Sequence, residues 1–131
     1  MTQQVLFEIE RRDDVCIVRI SGRLAAGADS DDLQGKVQEI KSLGCNKLIA
    51  DIRELDSIGS AGIGFLVDLH TSMAKVAGGR FVLAGPSPRV LEVLALTGLT
   101  KIISMAKDLP AALAFCARED DKAKQASGTR V

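Results

Sequence analysis

Gln4 to Glu10 and Val15 to Ser21, each rich in apolar residues, read as strands, and the charged Arg11-Arg12-Asp13-Asp14 between them predicts a hairpin turn. A helical period follows. Leu33, Val37, Ile40 and Leu43 recur at helical spacing after Asp29 or Ser30 and stop at Gly44. Lys47 to Ile52 is a short apolar run suited to a central strand, and it leads through Arg53 to Ser57 into a tight turn. Ile63, Leu66, Val67, His70, Ala74 and Ala77 follow the spacing of one helix face, closed by Gly78-Gly79. Phe81 to Ala84 reads as the next strand. Val90, Leu91, Val93 and Leu94 mark a helix after Ser87-Pro88 that ends near Gly98, Lys101 to Ser104 reads as a final strand, and Leu109, Ala112, Leu113 and Cys116 mark a last helix.

Two strands followed by alternating helices and strands predict a single α/β domain. Its mixed β-sheet should have about five strands, with about four helices packed on it. The folded domain is expected to span residues 1–117. Residues 118–131 are polar without an apolar period and are expected to form a flexible tail. The chain has 131 residues, enough for one core without staples.

Lys plus Arg and Asp plus Glu both number 17, so the formal charge is zero and no basic stripe points to nucleic acid. With no Trp, no Tyr and four Phe, stacking platforms for bases or sugars are nearly absent. Cys16, Cys45 and Cys116 fit neither a disulfide framework nor a zinc pattern, and are expected to be buried thiols in a reducing cytosol. No run approaches the ~18 consecutive apolar residues of a spanning helix, so a cytoplasmic protein without membrane insertion is expected.

The candidate chemistry lies in Ile58-Gly59-Ser60-Ala61-Gly62-Ile63-Gly64, which presents the Ser60 hydroxyl where a strand gives way to a helix. A helix start offers unpaired backbone N–H groups and the positive end of the peptide dipoles, a favourable field for an anion such as a phosphoryl group. The same position also suits a serine that only caps the helix. A third reading is a ligand anion bound at that helix start. Catalysis has little support. His70, the only histidine, lies ten residues beyond Ser60, about 15 Å along the helix, and Ile58 stands where a nucleophile elbow needs glycine. Phosphate-loop and dinucleotide signatures are absent, with Val67 in place of the latter's third glycine. Asp29, Asp31 and Asp32 cluster at a helix start and read as a solvated cap, so no catalytic group, metal site or cofactor is expected.

Leu48-Ile49-Ala50-Asp51-Ile52 running to Ile58 and Gly62-Ile63-Gly64 resembles the STAS domain family (sulfate transporter and anti-sigma factor antagonist) in its small, free-standing bacterial form. There an apolar strand ending in Asp-Leu precedes Ile-Asp-Ser-Ser/Thr-Gly-Leu-Gly. Val90 to Leu99 with Lys101-Ile102-Ile103 resembles the family's later helix and its Thr-Gly-Leu ending, and Val18 to Leu24 its second strand. The resemblance covers residues 4 to 117.

The resemblance implies an anti-sigma factor antagonist, a regulator and not an enzyme. An anti-sigma factor with serine kinase activity would phosphorylate it, a phosphatase would reverse this, and only the unmodified form would bind the anti-sigma factor. By position the phosphoacceptor is Ser60, with Ser57 as the fallback. Gly59, Ala61, Gly62, Ile63 (expected to be exposed one turn into the helix) and Ala25, within a Gly22 to Gly27 loop, become candidate partner contacts. Weak homodimerisation is compatible with this scheme. Two positions depart from the family pattern: Gly59 replaces the Asp before the phosphoacceptor, and Ala25 the Asp after the second strand. Their loss favours an alternative, a constitutive STAS scaffold in a sensory assembly or a lipid-transport ATPase complex.

Overall fold

The computed structural model describes residues 6–12, 14–24 and 30–117. Strands β1 (Leu6–Arg12) and β2 (Val15–Leu24) form the expected antiparallel hairpin, with Leu6 opposite Ser21 and Arg12 opposite Val15. Phe7 and Ile9 of β1 turn towards the main core, which is why the strand alternates. β2 is an interior strand: Cys16, Ile17 and Val18 are fully buried, which explains the apolar run from Val15 to Val18.

Then follow α1 (Ser30–Ser42), β3 (Lys47–Asp51), β4 (Leu55–Ile58), α2 (Ser60–Ala74), β5 (Arg80–Ala84), α3 (Pro88–Leu96), a 3-10 turn (Leu99–Lys101), β6 (Ser104–Ala106) and α4 (109–117). The sheet order is β1-β2-β3-β5-β6, parallel from β2 onward, with β4 pairing alongside β2. Helices α1, α2 and α3 bury Leu33, Val37, Ile40, Phe65, Leu66, Leu69, Val90 and Leu94 on one face of the sheet. On the other face, Ala112 and Cys116 of α4 pack against Ile17, Ile49 and Val82. The sheet thus has six strands where about five are expected, with four helices as anticipated. The residues predicted to form the tail, and Ala25 and Asp29, lie outside the described residues.

The additional strand is β4, which the sequence reading takes as part of the connection to the serine turn. It exists because β2 changes partner. The first half of β2 pairs with β3; its register shifts between Gly22 and Arg23, after which Arg23 lies beside Ser57 and Leu24 beside Ile58. Gly22 has φ +95°, a conformation that disfavours any side chain, and donates its N–H to Glu54 O at 3.2 Å. Gly22→Ala is therefore expected to lower unfolding stability by about 1–3 kcal/mol, measured by chemical denaturation.

Three further expectations are corrected. The last strand begins at Ser104, because residues 99–101 form the 3-10 turn and Ile102 is exposed. The buried stripe of α2 is Gly62, Phe65, Leu66, Leu69 and Met73, and the helix ends at Ala74; Ala74 and Ala77 are exposed. Gly79 still closes this region, since a Cβ there would collide with the Met73 carbonyl. Finally, Cys16 and Cys45 are not thiols but a disulfide, with Cα atoms 6.0 Å apart. The linker from α1 to β3 brings Cys45 back over the start of β2, three residues before Leu48, which pairs with Cys16. Spacing along the chain carries no trace of that return. Cys116 is buried, as expected.

Candidate functional site

The serine turn is built from the end of β4. Ile58 is buried, Gly59 takes an extended conformation (φ −123°, ψ −165°), and Ser60 is the first residue of α2. The first helical bond runs from Ile63 N–H to Gly59 O at 2.9 Å, so the amides of Ser60, Ala61 and Gly62 have no acceptor behind them in the helix. Gly59 occupies the capping position and has no side chain to satisfy them, and the first turn carries no acidic residue. Ser60 is exposed, lies one position beyond the cap, and makes no hydrogen bond within the described residues. The capping reading therefore fails for Ser60: Gly59 holds the cap position, and the exposed Ser60 hydroxyl has no hydrogen-bond partner among the described residues.

The neighbouring candidates are less accessible than the sequence suggests. Ile63 is half-buried and packs with Ala61 against the core, because α2 turns that side towards the sheet. Gly62 is buried. Gly59 is half-buried. Ser57 is half-buried within β4, ahead of the helix and without its free amides. Arg23, which the sequence places in the Gly22 to Gly27 loop of candidate contacts, lies instead in β2. It is exposed beside Ser57, and its guanidinium has no ion-pair or hydrogen-bond partner within the described residues. Its pairing beside Ser57 depends on β4, which the sequence does not reveal.

Below Ser60, α2 is firmly anchored. Phe65 is 2% exposed and meets Phe7 of β1 edge to face, with ring centroids 5.5 Å apart, while Leu66 and Leu69 are fully buried. His70 is half-buried in the same helix, too far from Ser60 to act on it.

A separate cavity of about 200 Å³ opens on the α4 side of the sheet, lined by Arg19, Asp51, Arg53, Asp108, Leu109 and Pro110. Its two arginines balance its two aspartates, and Arg19, Asp51 and Asp108 are engaged. Asp51 accepts the Arg53 N–H at 3.3 Å and lies 3.7 Å from Arg19 Nε, while Asp108 Oδ1 accepts the Ala111 N–H at 2.9 Å and so caps α4. Arg19 also approaches Glu10, whose carboxyl is held below its ordinary value of 4.5 mainly by a hydrogen bond from Arg12. No serine, threonine, cysteine or lysine is among the cavity's lining residues. Among the described residues, no helix is long and apolar enough to cross a membrane.

A mixed sheet with three helices on one face, and an exposed serine where a strand gives way to α2, defines a small α/β module. The STAS domain model matches residues 7–112, and the chain belongs to the STAS domain family. A candidate anti-sigma factor antagonist of Thermotoga neapolitana is 33% identical over 75 residues, covering 57% of this chain and 66% of that protein. The match thus spans just under two thirds of that relative. The crystal structure of an anti-sigma factor antagonist from Mycobacterium paratuberculosis superposes with a TM-score of 0.74 at 22% identity, over 87% of this chain and 95% of that one. The phosphorylated form of the Bacillus cell fate determinant SpoIIAA superposes with a TM-score of 0.59 at 24% identity, over 77% and 91% of the two chains. At such identities the two superpositions establish a common fold.

Proposed function

We propose that this protein is an anti-sigma factor antagonist whose binding surface is switched by phosphorylation of Ser60. The observation that carries this reading is the exposed Ser60, whose hydroxyl has no hydrogen-bond partner among the described residues, at a helix start where the amides of residues 60–62 have no acceptor in the helix. An anti-sigma factor with serine kinase activity would transfer a phosphoryl group to Ser60 Oγ, and a phosphatase would remove it by hydrolysis. The added group brings a charge of about −1.5 to −2 at neutral pH and three acceptor oxygens. The helix start tolerates that anion, so the fold persists. A partner seated over Ser60 must instead desolvate it or meet it with acidic groups, and it dissociates.

Two features support the scheme. Gly59 places no carboxylate among the first-turn amides, so nothing competes there with a phosphoryl group, and α2 begins without acidic residues. A relative of the same fold, SpoIIAA of Bacillus, has been solved in a phosphorylated form. Ala61 and Gly59 would border the contact, and Ser57 is the weaker acceptor because it precedes the helix.

Gly59 also favours a second reading. If the kinase docks through the acidic residue that the family carries there, its absence suits a constitutive scaffold subunit. A pull-down from native lysate with wild type, Ser60→Ala and Ser60→Asp separates the two. Capture of a kinase-like anti-sigma factor by wild type and Ser60→Ala but not by Ser60→Asp supports the switch; equal capture of a scaffold or transporter subunit by all three supports the alternative.

A further inference from the structure

We propose that the Cys16–Cys45 disulfide is a redox-sensitive staple that holds the C-terminal end of α1 against the sheet. Cys45 lies in the short linker between α1 and β3, and Cys16 is the second residue of the interior strand β2. The bond joins residues 29 apart and closes a loop containing the rest of β2 and all of α1, the helix that packs beside α2. Closing such a loop restricts the chain entropy of that segment whenever it opens.

The non-covalent ties at this end lie partly at the surface. The exposed Arg11 guanidinium donates to Leu43 O at 3.2 Å, and Lys47 Nζ reaches Asp14 Oδ2 at 2.8 Å. The turn after Ser42 is closed by Leu43 N–H to Ile40 O and Gly44 N–H to Lys41 O, with Gly44 at φ +72°. Without the disulfide, α1 would keep its apolar stripe of Leu33, Val37 and Ile40 but lose the covalent anchor at its end.

The two sulfurs differ in access. Cys16 is 0% exposed and Cys45 8%, so an incoming thiolate attacks at Cys45. In thiol–disulfide exchange with a small thiol such as glutathione, that attack forms a mixed disulfide and releases Cys16 as a thiolate, which takes up a proton. A second thiol then displaces Cys45. The net change is protein disulfide plus two thiols giving two protein thiols plus one small-molecule disulfide. Cys116 packs with Ile17 and Ile49 on the opposite face of the sheet and takes no part. The device does not depend on whether Ser60 carries a phosphate.

The test is to equilibrate the whole protein in reduced and in oxidised glutathione, count alkylatable thiols after denaturation, and compare amide hydrogen exchange in the two forms. One thiol is expected in the oxidised form and three in the reduced form. Exchange over residues 33–46 should be at least tenfold faster after reduction, with α3 unchanged, and Cys45→Ala should give the faster pattern in both buffers. Three thiols in oxidised glutathione, equal α1 protection in the two forms, or acceleration of α3 to the same extent as α1 would each overturn the proposal.

Discussion

Ser60→Asp is expected to leave the melting temperature within about 2 °C of wild type while weakening binding of the anti-sigma partner at least a hundredfold. The small effect on stability follows from the site: the Ser60 hydroxyl makes no hydrogen bond among the described residues, and a carboxylate at the first position of α2 gains from the dipole by about 0.3–1 kcal/mol. The large effect on binding follows from electrostatics. One acidic group of a partner 5 Å from the new charge would cost about 3 kcal/mol at an effective dielectric constant of about 20, more than the roughly 2.7 kcal/mol of a hundredfold loss. Ser60→Ala adds no charge and should retain wild-type affinity. Isothermal titration with the purified partner and differential scanning calorimetry on the same three proteins check both halves; an affinity for Ser60→Asp within threefold of wild type contradicts the switch.

Phe65→Ala is expected to cost about 3–5 kcal/mol of unfolding free energy, the largest stability effect foreseen for a single side chain next to the site. Phe65 is buried one turn below Ser60, and its ring contacts Phe7, so truncation leaves a void between α2 and the β1–β2 hairpin. The same substitution should reduce partner binding even where the chain remains folded, because the start of α2 loses its footing. Phe65→Leu fills most of the volume and should recover much of the stability. Urea titration of the two variants gives the comparison, and a loss below about 1 kcal/mol for Phe65→Ala would mean that the cavity collapses without consequence.

Long periodic segments reveal themselves in this sequence and short ones do not. The α1 stripe of Leu33, Val37 and Ile40 is buried as its spacing implies, and Ser87-Pro88 starts α3, with Ser87 Oγ accepting the Val90 N–H at 3.3 Å. Strand β4 escapes notice because Leu55-Asp56-Ser57-Ile58 has only two buried apolar residues and is a strand solely by pairing with β2 beyond Gly22. The Ile102-Ile103 pair attracts a strand reading, yet only Ile103 is buried, and the left-handed Gly98 directs the chain into a 3-10 turn first. In α2 the stripe is rotated from its expected position because Gly62, which contributes nothing to an apolar count, faces inward.

The position of Ser60 at the head of α2 is legible from the glycines and the change of period around it. Its freedom from capping duty is not, since that depends on whether Gly59 or Ser60 takes the extended conformation. Arg23 illustrates the same limit: its place beside Ser57 is a property of the sheet, and its separation from Ser57 in sequence conceals it. The disulfide depends likewise on the return of a linker that no local pattern encodes.

Phosphopeptide mapping of the protein recovered from its native host, with phosphatases inhibited, tests the central claim most directly. The account predicts phosphate on Ser60, absent in Ser60→Ala, and predicts that the phosphorylated fraction carries no bound anti-sigma factor while the unmodified fraction does. An unmodified Ser60 in cells where the cognate kinase is active, or equal amounts of partner on both fractions, would contradict it.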